Sequence, residues 1–532
     1  MEQSGIKCIY RVYTFFLLQE FTILIDVGMH YMYTYKRFGI KINSEEGMKE
    51  FTTVDIVIVI VYMLALILVG VWTARKTKTT EDFMVAGRNV GIWRFTAAMA
   101  ACVIGGALTT GGASLGYEYG VSALWLGGIF AVSIFLLSLL LRTKLTNMRI
   151  LSACEGFGVF YGPQARLLSS IVMIVYLFMV AVVQVVAAGT IMNVMFGWST
   201  QASMLIGGLV VLAYVVIGGM WAVTYTDMIQ FLIMTVGICV LCPIMALHSI
   251  GGVSAFVEQV PQTHWNITGI GAAKIIAYIL LYTPGFLVGQ DIWQRAFTAK
   301  TAKIARRGTA MAAGYILLYS IAITVIGMCL VIAMPNIADT NLVFATATAK
   351  FTPTGIRGVL LAAALAAVMS TASSEIMGTA TIVFNDLISE AKPNIPERTG
   401  VMITRLIAIV AGGLAIVCAL WIQSVLVALD VAYAFISGCI FVPLVSAFLM
   451  KKVSAKAGLL SLLGSFITVV IFLIKDGLTA TTPIMYGIVV SAIIFFGINA
   501  IDKKKHHIEI MEDGSVIVDG VREELKKRKS AK

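Results

Sequence analysis

Apolar residues run along this chain in long blocks separated by short polar connections, with no period-two alternation inside the blocks. Runs long enough to cross about 30 Å of hydrocarbon, which takes about 20 helical residues, lie near 52–73, 92–118, 119–141, 167–193, 200–220, 222–248, 271–294, 307–334, 354–388, 400–422, 424–449, 454–474 and 483–501. Uniformly apolar runs predict helices rather than barrel strands, because a helix satisfies every backbone amide within its own segment. The pattern predicts an all-α, polytopic membrane protein with about thirteen transmembrane helices.

Composition agrees with the pattern. With 59% apolar and 13% charged residues and a mean hydropathy of +0.92, the chain lacks the charge of an ordinary soluble surface. Its basic residues fall in alternate connections. Arg75, Lys76, Lys78 and Arg88 are in the first, Arg142, Lys144, Arg149 and Arg166 in the third, and Arg295, Lys300, Lys303, Arg306 and Arg307 in the seventh. Lys392, Arg398, Lys451, Lys452, Lys456 and the tail from Lys503 continue the series, whereas 249–270 carries no Lys or Arg. By the positive-inside tendency the C-terminus is cytoplasmic and residue 52 is outside. The net charge of +11 thus reports topology, and its spread over short loops argues against a nucleic-acid partner.

Three regions follow. Residues 1–47 fit poorly, because the run from Tyr13 to Tyr33 contains Glu20 and Asp26; the segment reads either as an extension upstream of a start at Met48 or as a disordered or surface-lying leader. Residues 48–501 form the transmembrane domain. Residues 502–532 form a cytoplasmic tail, with a short hairpin expected around Asp513-Gly514 and a basic end, Lys526 to Lys532, suited to anionic lipid head groups. Cys239 and Cys242 have a C-x-x-C spacing but lie inside an apolar run, where packing is the expected role. No P-loop or dinucleotide fingerprint occurs.

Two helix-breaking clusters stand out. Ile104-Gly105-Gly106-Ala-Leu-Thr109-Thr110-Gly-Gly112 lies in the second run; Tyr282-Thr283-Pro-Gly-Phe286, followed by Gly289, lies in the seventh. They correspond if about 92–248 and 271–449 are inverted repeats, and paired broken helices point to a substrate site near the midplane. Close packing through small residues is the alternative for either cluster alone. In the ninth run, Ala367, Ser370 and Thr371 lie within about one turn, so a carbonyl and two hydroxyls can converge as oxygen ligands for sodium; back-bonding to the preceding turn is the alternative. Asp227 and Asp430 are acids inside apolar runs, where a charge costs roughly 2.5–3.5 kcal/mol and calls for a partner, cavity or cation. Asp430 reads equally as a structural residue pairing with Tyr433.

The chain resembles the sodium/solute symporter family in Ala86-Gly-Arg-Asn89, the Gly218 to Gln230 block, Trp293-Gln-Arg295 and Met369-Ser-Thr371, over about residues 52–500. The resemblance implies a LeuT-type 5+5 inverted-repeat core and sodium-coupled uptake of a small solute by alternating access, without enzymatic chemistry or an organic cofactor. It implies a sodium site from the carbonyls of Ala101, Ile104 and Ala367 and the hydroxyls of Ser370 and Thr371. Asp227 matches an acid that in some members serves a second sodium or the release step. The blocks are most similar to the choline-transporter branch, but Val103 and Gly289 stand where that branch has aromatic residues. Val103, Leu108 and Gly127 depart from the sugar-carrier pattern, and Val103 from the acid of proline carriers. The solute candidates are Gly105, Gly106, Thr109, Thr110, Gln184, Tyr282, Thr283, Asp430 and Tyr433, and the half-helix termini favour an amino acid or small carboxylate. Proton coupling through Asp227, a transporter-like sensor and an intramembrane enzyme using Asp227 with Asp430 are the alternatives. The cell membrane is the expected location; the sequence does not set an oligomeric state.

Overall fold

The computed structural model describes residues 52–141, 150–422, 425–450, 452–478, 480–502, 506–510, 516–518 and 521–523. The leader 1–47, the Lys526–Lys532 end and the basic residues Arg142, Lys144 and Arg149 lie outside the described residues. We label the main helices α1 (Thr53–Thr73), α2 (Ile92–Val103), α3 (Gly112–Tyr119), α4 (Leu124–Leu140), α5 (Pro163–Phe196), α6 (Thr200–Met234), α7 (Ala272–Val288), α8 (Gln290–Thr298), α9 (Ala302–Ala333), α10 (Ile356–Ile382), α11 (Glu397–Ile422), α12 (Val425–Phe435), α13 (Ala455–Asp476) and α14 (Thr482–Ile501).

Eleven helices among the described residues are long and apolar enough to cross a membrane, against the thirteen runs read from sequence. The difference arises at two glycines. A single helical stretch, Thr200–Ser249, covers two runs, with Gly219 at φ 59, ψ −149 in its middle. A second stretch, Ala107–Leu140, joins the later half of one run to the next and leaves α2 as a separate short helix; Gly120, at φ 58, makes its corner. Both positions are backbone regions that glycine alone enters cheaply.

The helices are arranged in layers around α10, whose apolar window is 94% buried, against 33% for α1 and 28% for α14. α10 packs on α5, α6, α1, α11 and α2. A helix buried on every side needs small residues for close approach, and α10 is built largely from Ala, Ser, Thr and Gly. The outer faces of α1, α11, α13 and α14 expose Leu, Ile, Val and Phe, as surfaces meeting lipid do.

In the tail the expected hairpin pairs Ile508 with Val518 and Ile510 with Val516, while its turn lies outside the described residues. Two further short strands, Lys452–Val453 and Val521–Glu523, extend it to a four-stranded antiparallel sheet. The sequence reading missed both, since two or three residues carry no periodicity. Cys239 and Cys242 are free thiols, in keeping with packing.

A Cβ at Gly219 would lie 2.7 Å from the Phe83 ring, in addition to the backbone strain. Gly219→Ala is expected to lower stability by roughly 1–3 kcal/mol, read as an earlier thermal unfolding transition in detergent; an unchanged transition would remove the corner's claimed dependence on glycine.

Candidate functional site

The helical hydrogen-bond ladder of α2 stops at Ile104, which has φ −83 and ψ 84. Ile104 N–H still donates to Ala100 O at 3.1 Å, but Gly105 N–H turns to Val103 O at 3.1 Å, and Gly106 N–H donates to the Gln184 side chain of α5 at 3.0 Å. The ladder resumes with Thr109 N–H to Gly105 O. The amides that would have bonded the carbonyls of Ala101 and Cys102 have therefore gone elsewhere.

Hydroxyls of α10 fill the vacancy. Ser370 Oγ lies 2.7 Å from Ala101 O and 2.9 Å from Ala367 O. Thr371 Oγ1 lies 3.0 Å from Cys102 O and 3.3 Å from Ala367 O. Each hydroxyl has one proton to give, so five convergent oxygens share two protons. Such a cluster is electron-rich without a fixed charge and suits a weakly held monovalent cation. Of the five expected ligands, Ala101, Ala367, Ser370 and Thr371 come together here. Ile104 marks the helix end, and the carbonyl meeting Thr371 is that of Cys102, which the sequence reading did not single out. A side chain at Gly105 would sit 3.0 Å from both the Gln184 amide and Thr371 Oγ1, and one at Gly106 would sit 2.7 Å from Ala187 Cβ. The glycines let α5 and α10 close on the break.

Asp227 is buried in α6, and its Oδ2 lies 3.0 Å from Arg295 Nη2 of α8, itself buried. The sequence pattern puts Arg295 among the loop cations; the structure corrects that placement, with Arg295 buried in α8. It also donates to Ser374 Oγ of α10 at 2.5 Å, while the hydroxyls of Ser373 and Ser374 both donate to Ser370 O at 2.8 Å. A chain of contacts thus runs from Asp227 through Arg295 and Ser374 to the residue that closes the α2 break.

The second break has Pro284 inside α7 and Gly289, extended at φ −60, ψ 128, between α7 and α8. Tyr282 packs edge-on against Tyr433 at 4.9 Å and Phe130 at 5.0 Å between ring centroids. Tyr433 also meets Tyr176 of α5 at 5.7 Å. Asp430 lies within electrostatic reach of Tyr278 and Tyr282 of α7. Thr283 accepts from Ser133 at 3.2 Å. Thr109 and Thr110 bond back to Gly105 O and Gly106 O at 3.0 and 2.7 Å, and Thr109 also meets Tyr319 Oη at 2.8 Å. Those contacts fit helix packing better than ligand capture.

Two buried acids near the breaks escaped the sequence reading. Asp291 opens α8 two residues after the Gly289 break, 3.3 Å from Tyr176 Oη and 3.8 Å from Cys102 Sγ. Glu375 lies one turn beyond Thr371 on the same face of α10, 1% exposed. The rule that an acid inside an apolar run marks a site would have found both.

The model of the Sodium:solute symporter family matches residues 83–465. The sodium/glucose cotransporter of Vibrio parahaemolyticus is 25% identical over 471 residues, 80% of this chain and 85% of that protein. The high-affinity choline transporter 1 of Caenorhabditis elegans is 25% identical over 401 residues, 70% of this chain and 69% of that one. Among solved structures, a substrate-bound, outward-open Na+-coupled sialic acid symporter superposes with a TM-score of 0.73 at 20% identity, over 86% of this chain and 99% of that one. The fold is the LeuT-type helical fold of Na+-coupled transporters.

Asp227→Asn removes the one carboxylate that pairs with the buried Arg295 guanidinium within 4 Å among the described residues and is expected to destabilise by about 3–5 kcal/mol. Adding Arg295→Gln should recover part of that loss. Thermal unfolding of the single and double variants in detergent decides it; additive losses would mean that the two groups do not stabilise each other.

Proposed function

The chain belongs to the sodium:solute symporter family, and on that footing we propose that it couples sodium entry to uptake of a small organic solute across the cell membrane, by alternating access. The observation that carries this reading is the oxygen cluster at the α2 break, joining Ala101, Cys102, Ala367, Ser370 and Thr371. It bridges α2 to α10 through hydrogen bonds alone. A cation accepted there draws the two helices onto one point, and its departure frees them to separate.

Coupling needs no covalent step. Each charge crossing a 100 mV potential contributes roughly 2.3 kcal/mol, and a tenfold sodium gradient adds about 1.4 kcal/mol. One sodium can therefore sustain a solute gradient of several hundredfold, as an order of magnitude. One sodium is the stoichiometry the geometry favours, because Asp227, the candidate for a second ion or for proton coupling, already faces the Arg295 guanidinium at 3.0 Å. The solute's place is between the α2 and α7–α8 breaks, α5, α10 and α12, where Gly105, Gly106, Gln184, Tyr282 and Tyr433 gather. The matching breaks support inverted repeats near 92–248 and 271–449, and the loop charges support a cytoplasmic C-terminus.

In proteoliposomes, an inward sodium gradient should drive accumulation of a transported solute, and an equal potassium gradient should not. Replacing both hydroxyls, Ser370→Ala with Thr371→Ala, should abolish the sodium dependence. Uptake driven equally by both salts would remove the assigned cation site.

A further inference from the structure

Two cations at the proposed cytoplasmic end of the helices face no acid. Lys76, in the short turn Ala74–Lys76 that follows α1, holds its Nζ 4.8, 5.2 and 4.7 Å from the ring centroids of Trp72, Trp221 and Tyr225 and donates to Tyr225 Oη at 2.8 Å. The Arg94 guanidinium, in the first turn of α2, lies 5.2 and 4.6 Å from the rings of Trp221 and Tyr225. Two positive charges therefore gather around the same two rings. Neither has a carboxylate within 4 Å among the described residues; the acids nearest in sequence, Glu81 and Asp82, are taken by Arg88 and by the backbone of Thr79. Aromatic faces supply only part of a counter-charge, and like charges held together repel.

A surface cavity of about 390 Å³ opens beside them, lined by Gly91, Ile92, Trp93, Arg94, Tyr225 and Met228. Its donors call for an anion. Arg94 Nε has no hydrogen-bond partner among the described residues. Gly91, the residue before α2, gives that helix no side-chain cap, and the first bond of the helical ladder is Phe95 N–H to Gly91 O at 2.9 Å. The amides of Ile92, Trp93 and Arg94 thus precede the ladder, at the positive end of the helix dipole.

The surroundings make that anion a lipid. Trp93 is 75% exposed and Trp72 51%, as rings at the level of the head groups are. Exposed apolar side chains lead away from the cavity along both neighbouring helices, with Leu68, Leu64 and Val61 following Trp72 on α1, and Leu232 and Val236 at one-turn spacing from Met228 on the stretch Thr200–Ser249. A phosphate attached to acyl chains fits both parts; a free phosphate fits only the first. The cytoplasmic leaflet is also the anionic one.

We propose that this cavity binds one anionic phospholipid of the cytoplasmic leaflet, its phosphodiester set between Arg94, Lys76 and the first turn of α2 and its acyl chains lying on α1 and α6. The lipid ties together the end of α1, the start of α2 and the half of α6 that follows Gly219. This site is separate from the oxygen cluster at the α2 break and does not depend on which ion or solute is carried.

The test is native mass spectrometry of the full chain released from detergent, counting the lipids retained when phosphatidylglycerol or phosphatidylcholine is added, with inorganic phosphate as the water-borne competitor. One phosphatidylglycerol should be held in preference to phosphatidylcholine, and inorganic phosphate at equal concentration should not displace it. Lys76→Gln with Arg94→Gln should weaken that binding roughly 10- to 100-fold, whereas Arg75→Gln with Lys78→Gln, which removes the same charge from the same connection, should leave it unchanged. Gly91→Asp separates binding from folding. A Cβ at Gly91 meets nothing within 4 Å and Asp caps a helix N-terminus, so thermal stability without lipid should hold or rise while the lipid is lost. Equal retention of the two lipids, displacement by phosphate alone, equal losses in the two double variants, or retention in Gly91→Asp would overturn the lipid site and leave sodium symport standing.

Discussion

A broken helix in a medium without water must satisfy its freed backbone groups from within the protein, and the rest of this core is arranged around that requirement. Breaking α2 at Ile104 leaves the carbonyls of Ala101 and Cys102 and the amide of Gly106 without helical partners. Gln184 takes the amide, and Ser370 and Thr371 take the carbonyls. These three side chains fix α5 and α10 against the break, and glycine at 105 and 106 lets them approach. The break is thus compensated by polar contacts, the same ones that make up the proposed cation site.

The buried charges extend the same arrangement. Arg295 links Asp227 on α6 to Ser374 on α10, one turn from Ser370. Direct contacts thus join the oxygen cluster to the ion pair. α10 carries Ser370, Thr371 and Ser374 on one stretch of its surface, so the proposed cation site and the contact to the ion pair share a single helix. A central helix that is 94% enclosed can couple them because it cannot move without disturbing each partner.

Much of this was legible in the sequence where the signal is local. The apolar runs gave the membrane class, the two glycine clusters located the breaks, and the spacing of Ala367, Ser370 and Thr371 put three oxygens within a turn. The missed features depend on partners distant in sequence. Arg295 sits at the end of an apolar run among loop cations, and only its 3.0 Å approach to Asp227 shows that it is internal. Cys102 contributes a carbonyl, which any residue has, so side-chain chemistry could not mark it. Asp291 and Glu375 were visible as acids within apolar runs, but their burial near the breaks depends on how the helices pack. Thirteen runs and eleven long helices differ because Gly120 and Gly219 bend the chain without ending the apolar pattern.

The central claim is that the oxygen cluster between α2 and α10 selects sodium. Its most direct test is the melting temperature of the purified chain, without solute, as sodium chloride replaces potassium chloride at constant ionic strength. The account predicts stabilisation by sodium that grows by about 1.4 kcal/mol per tenfold increase once the site is near saturation. Identical melting in both salts across the whole range would contradict it.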